Sequence, residues 1–144
     1  MEHKINKRYL FVLINGIFPL FVGAILYYIF CPNVLFVKEI DRISKISFHI
    51  ALDESNLIHE MLRNYMPDFL WAYSLEVIIS FLMDENGHFE CSVAITCLLS
   101  IVLELVQKSE HIIGTFDVID IVVEILGIIT ALEIIKHFRR LAYL

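Results

Sequence analysis

Carboxyl groups recur inside apolar runs of this chain, at spacings that gather them on single helix faces. Tyr73, Glu76 and Ser80 follow an i, i+3, i+7 pattern. Cys97, Ser100, Glu104 and Gln107 repeat it, and Asp117, Asp120, Glu124, Gly127 and Ala131 make a third stripe. An ionisable group at the centre of a membrane helix costs roughly 2.5–3.5 kcal/mol on insertion scales, so each needs a reason to be there. Hydrocarbon cannot hydrogen-bond a polar face, and the three stripes are therefore expected to turn toward one another, with Gly127 and Ala131 allowing close approach. Asp68 and Trp71 stand at the head of the first of these runs. At a rise of 1.5 Å per residue, Glu76 lies about 12 Å below Asp68 and Glu124 about 10 Å below Asp117, so the acids would line a pit. Carboxyls crowded in low dielectric cannot all stay ionised, and some are expected to hold protons. Such a pit could take a cation, share a proton, or receive the amino groups of a lipid or peptide-like ligand. The alternative is structural: the same acids hydrogen-bond the helices together.

Other chemistry has little support. No Ser/His/Asp order, HExxH pair or glycine-rich phosphate loop occurs, so no catalytic residue is assigned and enzyme status rests on paired carboxyls alone. Cys31, Cys91 and Cys97 sit in or beside apolar runs and read as small hydrophobes, and no metal or cofactor is expected. The turn Asp84 to His88 lacks the third acidic position and the closing Glu of a calcium loop. Trp71 and Tyr73 suit interfacial anchors better than ligand contacts, being near a span end. Only 11 Lys and Arg are scattered through a chain of net charge −6, which leaves no stripe to neutralise nucleic-acid phosphates.

Composition sets the elements that must carry these faces. Of 144 residues, 58% are hydrophobic and 19% charged, with a mean hydropathy of +0.73. A soluble domain averages about 45–50% apolar and about 25% charged. The expected fold is all-α, an integral membrane bundle of four transmembrane helices at about 9–30, 69–83, 89–106 and 118–135. The second run is short, and Pro19 should kink the first. The first is too long for a secretory leader and reads as a retained span. Between the first two lies a polar connector, 37–68, in which Leu57, Ile58, Met61, Leu62 and Tyr65 predict an amphipathic helix on the membrane surface or capping the bundle. Ile46, Phe48, Ile50 and Leu52 alternate instead, and their structure stays undecided. An even number of spans puts both ends on one side. Lys4, Lys7, Arg8, Lys136, Arg139 and Arg140 mark that side as cytoplasmic, against Lys38, Arg42, Lys45, Arg63 and Lys108 on the other. The pit would then open outward.

Two stretches carry a family likeness. Met66-Pro67-Asp68-Phe69-Leu70-Trp71-Ala72-Tyr73 and Glu104-Leu105-Val106-Gln107, followed by Gly114-Thr115-Phe116-Asp117-Val118-Ile119-Asp120 and Gly127, resemble the VanZ-like family of small bacterial membrane proteins over about residues 66–127. Asp68, Trp71, Glu104, Gln107, Asp117 and Asp120 match its motif. The chain departs from the commoner form at Phe69 and Ala72, where a Lys and a His are usual, and at Thr115, where an Arg is frequent. The family is named after a protein associated with low-level glycopeptide (teicoplanin) resistance. The resemblance implies a multi-pass membrane setting and a cell-envelope or glycopeptide-related binding role. Expected partners are membrane lipid, a cell-wall precursor or a glycopeptide. The alternatives are an integral membrane enzyme acting on a lipid head group, with Glu104 or Asp120 as acid or base, and a small proton or ion carrier using Glu76 and Glu124.

Overall fold

The computed structural model describes the backbone of residues 2–50, 57–85, 91–107 and 118–142, and the side chains of 7–34, 37–50, 57–84, 91–103 and 118–141. Every regular element among the described residues is helical. We number five helices: α1 (2–30), α2 (Leu35–Ser44), α3 (57–85), α4 (Ser92–Gln107) and α5 (Val118–Ala142).

Two helices are broken and rescued in the same way. α1 contains a π-helical turn at Leu13–Ile17 and α3 another at Met61–Tyr65. Each stands two residues before a proline, Pro19 and Pro67. A proline inside a helix lacks the N–H for the carbonyl four residues back and its ring crowds that carbonyl, whereas a wider π turn gives it room. For Pro67 that carbonyl belongs to Arg63, and it accepts a weak bond from Cys31 Sγ at 3.9 Å. Cys31 thus donates to a carbonyl of the π turn, a role its apolar setting does not announce.

α3 is the hub. α1 runs antiparallel to it: Arg8 meets Asp84, while a Cβ on Gly23 would stand 3.3 Å from Leu70 Cβ. α5 runs parallel to it, with Gly127 against Phe69 and Tyr73 and Arg139 against Asp84. α4 begins beside Ser80 and Glu76 and rises toward Glu124 through Cys97, which lies within electrostatic reach of both acids, so it too is antiparallel to α3. Tyr73, Val77, Ala131 and Ile135 form the apolar core between α3 and α5, flanked by Phe11 and Phe69. Phe11 stacks on Phe138 with centroids 4.1 Å apart.

This topology gathers both chain ends at one end of the bundle, here called the near end. Arg8 Nη2 binds Asp84 Oδ2 at 2.9 Å and Arg139 Nη2 binds Asp84 Oδ1 at 2.7 Å, so one carboxylate ties the start of α1 to the end of α5. Arg8 also lies over the Phe81 ring, 5.0 Å from its centroid.

Two expectations are corrected. The second apolar run is not a short helix beginning at Phe69: the described part of α3 already includes Leu57, and its stretch Leu57–Asp84 has 28 residues with hydropathy 1.3. The residues expected to form a separate amphipathic helix are its first turns, made continuous through Pro67 by the π turn. The separate amphipathic helix is instead α2. It ends at Lys45, whose φ of 58° is left-handed and whose N–H donates to Asp41 O at 2.9 Å. An L residue pays about 1 kcal/mol for that conformation and glycine does not. Lys45→Gly should slow hydrogen exchange of the α2 amides about threefold, corresponding to roughly 0.7 kcal/mol. Residues 46–50, the described part of the alternating stretch, are irregular, and Ile50 N–H donates to Ile29 O at 3.2 Å.

Candidate functional site

Beside its apolar core the bundle buries a run of polar side chains, and much of its outer face is apolar. On α3 and α4, Ser74, Glu76, Ser80, Ser92, Thr96 and Ser100 are all buried, as is Glu124 on α5. Outward stand Leu10, Ile14, Phe18 and Phe21 of α1, Leu98 and Val102 of α4, and Val122, Ile125 and Ile129 of α5, every one exposed. Exposed apolar surface of this kind is unfavourable in water.

Glu76 is the centre of the polar seam. Its side chain is 0% exposed and is the largest fully buried one in the described structure. Oε1 accepts from Ser80 Oγ at 2.6 Å and from Ser92 Oγ at 2.8 Å, and the two hydroxyls lie 2.9 Å apart. Among the described residues Oε2 has no hydrogen-bond partner. Ser92 opens α4, so the carboxyl also faces the positive end of that helix dipole. One turn on, Thr96 Oγ1 turns back to Ser92 O at 3.0 Å, and Ser100 continues the same face. Counting eight residues back from Asp84, Glu76 is about 12 Å inside the near end.

The other acids lie toward the far end. A Cβ on Gly127 would stand 2.7 Å from Phe69 O, which fixes the register of α5 on α3. Glu124, one turn earlier and 4% exposed, is therefore level with the start of the Met66–Glu85 segment that contains Asp68. Asp120 and Asp68 are half-buried. Tyr27 of α1 lies within electrostatic reach of Asp68. The acids thus form two levels: Glu76 in the middle of the bundle, and Asp68, Glu124 and Asp120 nearer the far end.

The two aromatic candidates part company. Trp71 faces outward, 37% exposed, away from the buried seam. Tyr73 is no interfacial anchor: it is buried between helices and its hydroxyl donates to Asn15 Oδ1 at 3.0 Å, while Asn15 Nδ2 donates to Phe11 O at 3.2 Å. The side chains of Glu104 and Gln107, and Asp117 altogether, lie outside the described residues. Among the described residues no group of three or more His, Cys, Asp or Glu could hold a metal ion.

A second polar cluster, absent from the sequence reading, sits at the far end of α1. Tyr28 OH donates to Asp41 Oδ1 at 2.6 Å, His49 Nε2 lies 2.6 Å from Asp41 Oδ2, and His49 Nδ1 lies 3.1 Å from Tyr28 O. Residues 21 positions apart meet here, so helical periodicity could not have signalled it.

No family model, curated protein or solved structure matches this chain. Among the described residues, two helices are long and apolar enough to cross a membrane: Lys7–Phe30, with 24 residues and hydropathy 2.2, and Leu57–Asp84. Of the first window 11% is buried and of the second 39%, and the first lies near the N-terminus. α5 has 25 residues but carries Asp120, Glu124 and Glu133, and α4, at 16 residues, reaches about 24 Å.

Proposed function

We propose that the chain is a multi-pass membrane protein whose four long helices, α1, α3, α4 and α5, all act as spans, with both termini cytoplasmic. The far-end acids Asp68, Asp120 and Glu124 bind an amine-bearing ligand of the cell envelope. The observation that carries this reading is the apolar exterior of the bundle, rich in exposed leucine, isoleucine and phenylalanine, together with the serines and carboxyls buried beside its core. Lipid tails accept that exterior, and buried hydroxyls and carboxyls then supply the hydrogen bonds between helices that hydrocarbon cannot. α4 is shorter than the hydrocarbon core of about 30 Å, which a bilayer accommodates by local thinning. Arg8 and Arg139 at the near end agree with a cytoplasmic side. The VanZ-like resemblance of residues 66–127 belongs to the same proposal. It places Asp68 and Asp120 in the motif and puts the ligand among envelope lipids, cell-wall precursors or glycopeptides.

One observation favours a second reading. Ser80, Glu76, Ser92, Thr96, Ser100 and Glu124 make a buried polar seam running along the bundle, the arrangement a small proton or ion carrier would use.

The binding reading is tested in nanodiscs, with phosphatidylethanolamine as the amine-bearing probe and its N-acetylated form as control. The melting temperature should be about 3 °C or more higher with the free amine. That difference should vanish in Asp120→Asn with Glu124→Gln, while the variant still assembles. Equal melting temperatures in both lipids would overturn the reading. Loss of folded protein in the variant would assign the acids to structure.

A further inference from the structure

The polar cluster at the far end of α1 has a chemistry the bundle's acids do not share. Both ring nitrogens of His49 face acceptors: Nε2 the Asp41 carboxylate at 2.6 Å, and Nδ1 the Tyr28 carbonyl at 3.1 Å. A neutral imidazole has a single N–H and can satisfy one of them, whereas the imidazolium has two and satisfies both. The contacts join three separate pieces of chain. Tyr28 belongs to α1, Asp41 to α2, and His49 to the segment that follows α2. Tyr28 OH also has the Ile46 carbonyl 3.2 Å away, and the Ile50 amide donates to Ile29 O at 3.2 Å, so the segment 46–50 is fastened to α1 from both sides of the histidine.

We propose that Tyr28, Asp41 and His49 form a pH-sensitive latch. It holds α2 and residues 46–50 against the far end of α1 while His49 carries its second proton, and lets them go when that proton leaves. On deprotonation one ring nitrogen turns a lone pair toward an oxygen, and that contact becomes repulsive. Among the described residues, the titratable groups facing His49 are Asp41 from α2 and Tyr28 from α1, whose ring centroid is 5.3 Å from the imidazole. The Asp41 bond raises the pKa of His49 above its ordinary 6.5. The hydrogen bonds from Tyr28, and then from His49, hold Asp41 below its ordinary 3.8.

The signs follow from linkage. A raised histidine stabilises the closed form fully below 6.5 and ceases to do so as pH climbs through the raised value. A lowered aspartate stabilises it above 3.8, and loses effect as pH falls through the lowered value. The latch is closed between these limits and opens on the alkaline side. Opening would uncover the apolar groove between Ala24, Tyr28, Val37 and Ile40, in which Val37 is buried. The latch goes beyond the binding reading and does not depend on which ligand the acids take.

Hydrogen exchange of the full chain, measured amide by amide against pH, tests it. The Ile50 amide should be protected at pH near 6.5. As pH rises past the titration of His49 it should exchange about tenfold faster than base catalysis alone accounts for, while Val77 in the core keeps its protection. His49→Gln retains one donor toward Asp41 but cannot carry the charge, so its Ile50 amide should follow base catalysis alone. The proposal is overturned if the wild-type Ile50 amide shows no excess acceleration, or if His49→Gln shows the same acceleration as the wild type.

Discussion

Gly127→Ala is expected to destabilise the bundle by about 1–3 kcal/mol, and Gly127→Val by about 3 kcal/mol or more. The direction is not obvious beforehand, because glycine to alanine in an open helix stabilises by roughly 1 kcal/mol. The geometry decides it. A Cβ on Gly127 would lie 2.7 Å from Phe69 O and 3.1 Å from Tyr73 N, and both are backbone atoms of the hub helix that cannot swing aside. α5 would have to move off α3, opening the core of Tyr73, Val77, Ala131 and Ile135. Gly16 is a useful comparison, since its nearest neighbour would be Ile78 Cγ1 at 3.0 Å, a side-chain atom that can shift. Thermal unfolding in detergent should rank the variants Gly127→Val below Gly127→Ala below Gly16→Ala. A higher melting temperature for Gly127→Ala than for the wild type would contradict the close α3–α5 contact.

Glu76→Ala is expected to cost about 2–4 kcal/mol, from the cavity left by a large buried side chain and from two serine hydroxyls that lose their acceptor. Glu76→Gln keeps a carbonyl oxygen where Oε1 receives Ser80 and Ser92, and puts its amide where Oε2 has no partner, so it should lose only about 1 kcal/mol. Unfolding by denaturant measures both. The pair also separates structure from transport. If Glu76 belongs to a carrier, Glu76→Gln should stay folded yet abolish dissipation of a pH gradient in liposomes. Wild-type vesicles that hold their gradient would end the carrier reading, and leave Glu76 as the hydrogen-bonded link between α3 and α4.

Helical spacing made part of this architecture legible. The stripe of Tyr73, Glu76 and Ser80 and the small pair Gly127 and Ala131 are faces of single helices, and all five residues are buried where the helices meet. What spacing could not supply is partnership across the sequence. Asp84 reads as a turn residue until Arg8 and Arg139 arrive from the two ends of the chain. Asn15 sits in the most apolar run and gains its meaning only from Tyr73. Ser92 and Thr96 extend the α4 face two turns and one turn before Ser100, but small hydroxyls carry little weight in a hydropathy pattern, and so the stripe reads as beginning at Cys97. The continuity of α3 through Pro67 is hidden in the sequence for a local reason. The polar residues around Arg63, with Pro67 behind them, resemble a helix boundary, and only the π turn at Met61–Tyr65 lets one helix pass through both.

The claim that this bundle presents its apolar faces to lipid is tested most directly by single spin labels at Phe21, Leu98 and Ile125, with Lys45 and His137 as end markers, in reconstituted membranes. The three outward labels should relax strongly with dissolved oxygen and hardly at all with a water-soluble nickel complex, while the two markers do the reverse. Should Phe21, Leu98 and Ile125 respond to the nickel complex as readily as Lys45 does, those faces meet water, and the membrane-embedded bundle proposed for this protein is wrong.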